Sequence, residues 1–212
     1  MFPTVDASID LNSCFSANVY LFNAIKPYAN TISGTEDKAR SLYTYGESGL
    51  SYKINSVVSF TAAYVYERQE PFTTNYRNEH RVFPQITLRN NFKRIELKQR
   101  LRYDLRFIQD RINDNWPFYH RLRYLAGARW TIKNSSNYIF AYSEYFISSK
   151  KNDGLQFIEN WSALQFGKKI NDHHSLEIGP LFVGWKRNSA GDWLRQYYVQ
   201  FTWVARPISK KS

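Results

Sequence analysis

An all-β fold, a single up-and-down antiparallel barrel of ten to twelve strands with twelve preferred, is what this 212-residue sequence predicts. Three observations point to it. Residues 95–107, "IELKQRLRYDLRF", separate completely at a period of two: Ile95, Leu97, Gln99, Leu101, Tyr103, Leu105 and Phe107 fall on one face, and Glu96, Lys98, Arg100, Arg102, Asp104 and Arg106 on the other. On a helix the neighbours of Ile95 three and four residues on are Lys98 and Gln99, so no apolar face forms; on a strand the segregation is complete. The same alternation recurs along the chain. Short and long connections also alternate from one end to the other, as they do in a meander with tight turns at one rim and larger loops at the other.

The elements follow in order. Residues 4–11 and 15–23 are less regular strand candidates, joined by "NSC", and 42–54 follows the long connection "KPYANTISGTEDKA". After "INS" at 54–56, residues 57–67 set Val58, Phe60, Ala62, Tyr64 and Tyr66 against Ser59, Thr61 and Glu67. Beyond the longer "QEPFTTNYRN" come 80–88, the turn "RNN" at 89–91 and the opening stretch 95–107, whose thirteen residues at roughly 3.3 Å each reach on the order of 40 Å. That is well past the usual five or six residues of a globular strand. After "QDRINDNWP", residues 118–130 place Phe118, Leu122, Tyr124, Ala126, Ala128 and Trp130 opposite Arg121, Arg123 and Arg129. Candidates at 138–148, 155–166 and 175–186 are separated by "KNSSN", "SKKNDG" and "NDHH". "KRNSAGD" leads to "RQYYVQFTW", where Tyr197, Val199, Phe201 and Trp203 oppose Gln196, Tyr198, Gln200 and Thr202. Eleven segments result, whereas single-chain bacterial barrels have even strand numbers. The first segment is therefore expected either to stand outside the barrel or to have a strand before it, and twelve follows from the second choice.

Composition bounds the rest. No linker divides the chain, so residues 1–212 are expected to form one domain. Mean hydropathy is −0.55 and no run approaches the ~18 apolar residues of a spanning helix. Aromatic residues make up 17% of the chain, as expected where amphipathic rings sit at a membrane–water boundary. Twenty-nine Lys and Arg against 18 Asp and Glu give +11, which attracts anionic lipid, nucleic acid or anionic solutes. Cys14 is the single cysteine, so there is no intrachain disulfide. "LNSC" has no apolar core before it and does not read as a lipoprotein box. A secretory signal is likewise absent from "MFPTVDAS", and an exported form is expected to have lost it.

Periodicity does not say which face is wet. Strand length, aromatics at strand ends (Phe107, Trp130, Trp185 and Trp203) and the number of bulky groups on the apolar faces all favour a barrel with its apolar face outward, since a small interior does not hold so many large side chains. A bacterial outer membrane is then the expected location, with Phe60, Tyr64, Leu101, Tyr103, Leu105, Phe107, Tyr124, Trp130, Phe201 and Trp203 facing lipid or its interface. Arg81, Lys98, Arg100, Arg102, Arg106, Arg121, Arg123 and Arg129 are expected to line the lumen, with Glu79, Glu96, Asp104, Glu144 and Glu177 as acidic partners. Arginine suits this role because its planar guanidinium makes forked contacts to carboxylates and stays charged.

"YRNEHRVF" at 76–83, "IELKQRLRYDLRF" at 95–107, "HRLRY" at 120–124 and "YSEYF" at 142–146, with the spacing along nearly the whole chain, resemble the bacterial outer-membrane barrels grouped as domain of unknown function 2490. The position that often reads Asn-Arg in that family reads Asn160-Trp161 here. The resemblance implies fold and location and brings no reaction with it.

Function is expected to be that of a structural or accessory subunit of an outer-membrane assembly, its lumen filled by ion pairs. The expected partners are outer-membrane lipids, lipopolysaccharide among them, and a larger membrane complex. A small anion-selective pore is the alternative, because rings of Arg or Lys favour anions. A soluble basic sheet that binds nucleic acid comes third, since a stacking platform needs aromatics and arginines on one face and here they lie on opposite faces. No enzyme, cofactor or metal site is expected: His80 and His120 alternate away from Arg81 and Arg121, His173 and His174 sit in a turn, and no metal-ligand or phosphate-loop spacing occurs.

Overall fold

The computed structural model describes residues 1–27, 30–32, 35–150, 154–186 and 192–206. Parts of the long connections at 28–29, 33–34, 151–153 and 187–191, and the tail 207–212, lie outside the described residues. No helix occurs among the described residues. The strands are β1 (Phe2–Asp10), β2 (Phe15–Lys26), β3 (Asn30–Ile32), β4 (Thr35–Asp37), β5 (Arg40–Lys53), β6 (Val58–Gln69), β7 (Arg77–Phe92), β8 (Ile95–Ile108), β9 (Phe118–Thr131), β10 (Asn137–Lys150), β11 (Gly154–Lys169), β12 (His174–Lys186) and β13 (Trp193–Ala205).

Eleven of these close a barrel in the order β1-β13-β12-β11-β10-β9-β8-β7-β6-β5-β2, while β3 and β4 form a separate hairpin in the long loop. The preferred twelve is corrected to eleven. A meander with an odd number of strands has its first and last strands running the same way, so closure has to be parallel, and β1 does pair parallel with β13, from Phe2↔Gln200 to Ala7↔Ala205. All other barrel pairings are antiparallel. The first segment is thus neither outside the barrel nor in need of a neighbour: β1 is the closing strand. The turn expected at "RNN" is also corrected, because β7 runs on to Phe92 and the chain reverses at Lys93-Arg94, with Lys93 at φ 51°.

Three of the short turns share one design. Asn12 Oδ1 accepts from the backbone N–H of Cys14 (2.9 Å) and Phe15 (2.8 Å), Asn55 Oδ1 from Val57 and Val58 (both 2.8 Å), and Asn171 Oδ1 from His173 and His174 (both 2.8 Å). An asparagine carboxamide that takes up the N–H groups two and three residues on replaces strand pairing where the ladder ends. These three turns therefore fix the registers of β1 with β2, β5 with β6 and β11 with β12.

The period-two pattern becomes an inside and an outside. Along β8, Arg102 and Asp104 are buried while Leu101, Tyr103 and Phe107 are exposed. Inside, the barrel is filled unevenly. Around the β1–β13 seam an aromatic cluster packs: Phe2 stacks on Phe22 at 4.6 Å, Phe22 on Tyr45 at 4.4 Å, and Trp161 and Tyr198 meet Phe2 edge-on at 5.6 Å each. Trp185, expected among the outward strand-end aromatics, packs against this cluster and faces the interior. The opposite wall, β7 to β10, carries charge.

Candidate functional site: an ion-paired interior

Antiparallel register places like charges directly across from each other on that wall. Arg81 faces Arg106, and Arg102 faces Arg123. Facing cations repel, so each pair requires a carboxylate between its members. Glu79 serves the first: it accepts from Arg81 Nε and takes Arg106 in a fork, Nε at 2.5 Å and Nη2 at 2.9 Å. Arg81 extends the chain to Glu67 at 2.5 Å.

Asp104 serves the second pair. It is fully buried and meets Arg102 Nε at 2.5 Å, Arg121 Nε and Nη2 at 2.9 and 2.8 Å, and Arg123 Nη1 at 3.8 Å. Arg123 then forks onto Glu144 at 2.9 and 3.0 Å, and Glu144 also receives Arg100 at 2.7 Å. Arg102 crosses the lumen to Glu47 on β5 at 2.8 Å and to the Tyr45 hydroxyl at 3.2 Å. Arg121 reaches Glu159 on β11 at 3.7 Å.

Six arginines (Arg81, Arg100, Arg102, Arg106, Arg121 and Arg123) are matched by six carboxylates (Glu47, Glu67, Glu79, Asp104, Glu144 and Glu159). This part of the interior carries no net charge. Its guanidinium faces lie on aromatic rings: Arg102 sits 3.4 Å from the Phe83 centroid and Arg123 4.5 Å from that of Phe146. Such stacking suits arginine, whose edges stay free to donate while its faces are covered. The charged wall and the aromatic seam are thereby joined into one interior.

The remaining luminal candidates stand apart from this network. Arg129 pairs with Glu177 at 3.5 Å, and Glu177 also accepts from the Tyr138 hydroxyl at 2.7 Å. Glu96 and Lys98, expected in the network, line the same interior, yet neither forms an ion pair among the described residues. The interior is not filled throughout either. A cavity of about 1310 Å³ remains, bordered near the turns by Asp6, Lys98 and Arg206 and near the loops by Arg77, Arg111 and Lys186.

Phe60, Tyr64, Leu101, Tyr103, Phe107, Tyr124, Trp130, Phe201 and Trp203 all point outward, 39–51% exposed, and Leu105 is half-buried on the same face. His80 and His120 lie on that face too, where Tyr64 and Tyr103 hydroxyls meet their Nδ1 atoms at 2.5 and 2.7 Å. Near the turns the same kind of pair joins Trp203 Nε1 to His174 Nδ1 at 3.2 Å.

Sequence reading missed Glu47, Glu67 and Glu159 as partners. Glu67 had already fallen on the inward face of its strand, and Glu47 shares its parity with Tyr43 and Tyr45 on β5, so both were within reach of a stricter count. Glu159 likewise shares its parity with the inward Trp161, Ala163 and Gln165 on β11, and the register shifts only beyond it, between Phe146 and Ile147.

A family model described as protein of unknown function (DUF2490) matches residues 30–195, a span that holds the whole six-arginine network. No curated protein matches the chain.

Proposed function

The chain belongs to the DUF2490 family of proteins of unknown function, and from that premise we propose that it is an outer-membrane β-barrel acting as a structural or accessory subunit of a membrane assembly. The observation that carries the reading is the inverted polarity of the barrel: charges paired inside, large apolar side chains outside. Nine bulky groups of the expected lipid face are 39–51% exposed, and Leu21, Leu50, Ile86 and Leu164 join them. Soluble monomers rarely leave contiguous apolar surface of this extent uncovered. On β8 the outward apolar positions run from Ile95 to Phe107, roughly 40 Å of strand and about 30 Å of height at the usual tilt, which matches the apolar band of a membrane barrel. Outward aromatics bracket the band, with Trp130 and Trp203 near the turns and Tyr64, Phe107 and Phe118 near the loops, as girdles do.

A charge-neutral, cross-braced network across the interior supports a barrel held together from within rather than a conduit or an active site. The working surfaces are then the external loops and the lipid face, where the basic excess meets anionic lipopolysaccharide or a partner barrel. Fractionation with outer membranes, with a β circular-dichroism spectrum in detergent, is the expected outcome; recovery as a soluble monomer without detergent would count against the reading.

The cavity favours a second reading, a small anion-selective pore. Planar-bilayer recording of protein purified in mild detergent separates the two. Silent bilayers and a stoichiometric co-purifying membrane protein are expected. Anion-selective currents that fall on Arg100→Ala and Arg123→Ala would favour the pore.

A further inference from the structure

A third like-charge pair faces across the inner wall, near the turn rim: Arg89 on β7 lies directly opposite Lys98 on β8. The other two facing pairs each have a carboxylate between them. Among the described residues no carboxylate forms an ion pair with either Arg89 or Lys98. Glu96 comes nearest by position, two residues before Lys98 on the same face and directly opposite Arg129, and it forms no ion pair with Arg89 or Lys98 among the described residues. Asp6 is held by Arg206 at 2.8 Å, and Glu177 by Arg129 and Tyr138.

The surroundings add to the excess. Lys98 lies within electrostatic reach of Arg89, Arg100 and Arg206 and Arg89 within reach of Arg129 and Arg206, against the two carboxylates Asp6, which Arg206 already holds, and Glu96. Buried donors in the same region are also unsatisfied: Arg100 Nε, Arg129 Nε and Gln165 Nε2 have no hydrogen-bond partner, and Gln165 is 2% exposed. Arg89, Lys98, Arg100, Arg129, Gln165 and Arg206 all line the cavity. The rule that holds along the rest of the wall, an anion between every two facing cations, is unmet by the described residues at this one place.

We propose that the turn-side mouth of the lumen is a binding site for a phosphate-class dianion, seated between Arg89 and Lys98 with Arg100 and Arg129 beside it. A dianion suits two facing cations better than a single carboxylate, because it neutralises both, and its several acceptor oxygens match the number of free donors. The site is independent of where the protein resides and is read equally in detergent or in buffer.

The test is calorimetric titration of inorganic phosphate into the intact protein in phosphate-free medium. Saturable binding is expected, weakened about tenfold or more by Arg89→Gln and by Lys98→Gln, retained in Lys98→Arg, and unchanged in Arg111→Gln at the loop rim. Displacement by glycerol 3-phosphate identifies a solute phosphate, and displacement by phosphatidic acid, a phosphomonoester lipid, in mixed micelles a lipid headgroup; either keeps the site. Lys98→Glu provides a second, separate readout by placing a carboxylate opposite Arg89. It is expected to raise the melting temperature without phosphate and to abolish the further rise that phosphate gives to the parent. Absence of saturable binding, or phosphate protection that survives Lys98→Glu, overturns the proposal.

Discussion

The charged wall of β7–β10 and the aromatic seam at β1–β13 solve the same problem, filling the inside of a closed barrel, with opposite chemistry. On the wall, Asp104 and Glu79 each bind more than one arginine, so stability depends on a few shared carboxylates and is concentrated. At the seam, Phe2, Phe22, Tyr45, Trp161 and Tyr198 interlock ring by ring, and although Phe2 meets three of the others, truncating a ring leaves no buried charge behind. The wall should therefore fail abruptly when one acid is removed, and the seam gradually. Removing one member of a buried ion pair leaves a desolvated charge behind, which costs about 3–5 kcal/mol, whereas a truncated core aromatic costs its transfer energy plus a cavity of adjustable size.

Substitutions can break or sharpen that contrast. Asp104→Ala removes the carboxylate that three arginines share and is expected to have the largest effect, about 5 kcal/mol in urea unfolding followed by tryptophan fluorescence in detergent. Glu144→Ala strands Arg100 and Arg123 and is expected to cost about 4 kcal/mol. If both lose less than about 1 kcal/mol, the arginines are not coupled through these acids. On the seam, Phe2→Ala is expected to cost about 3 kcal/mol, with early loss of protection in β1 by hydrogen exchange while β7–β10 stays protected. Uniform loss of protection across the barrel would erase the distinction between the regions. Smallest is Glu96→Ala, about 1 kcal/mol or less, because Glu96 lines the interior outside the paired network; a drop equal to that of Glu144→Ala would place it inside.

The two regions also differ in how far sequence reveals them. The wall is legible because charge alternates with aliphatics at a strict period of two, so Arg102 and Arg106 declare their face without any tertiary information. Aromatics carry no such mark. Trp185 and Phe201 read alike in the sequence, yet one packs inside and the other points outward. Their faces follow from strand register and from the inner neighbours of each strand. Closure is the least local property of all. Nothing in "FPTVDASID" indicates that it pairs parallel with a strand almost two hundred residues later, and an even strand count was expected on general grounds. The β3–β4 hairpin was hidden for a related reason, since three-residue strands are too short to show a period.

The proposed location and role rest on the apolar face meeting lipid while the paired charges stay inside. The direct measurement is nitroxide accessibility in liposomes, on a Cys14→Ser background that removes the single cysteine, with spin labels placed in turn at Leu101, Phe201 and Lys98. The account predicts that labels at Leu101 and Phe201 relax through collisions with oxygen and are shielded from a water-soluble nickel chelate, with the reverse at Lys98. Equal nickel access at all three positions would contradict it.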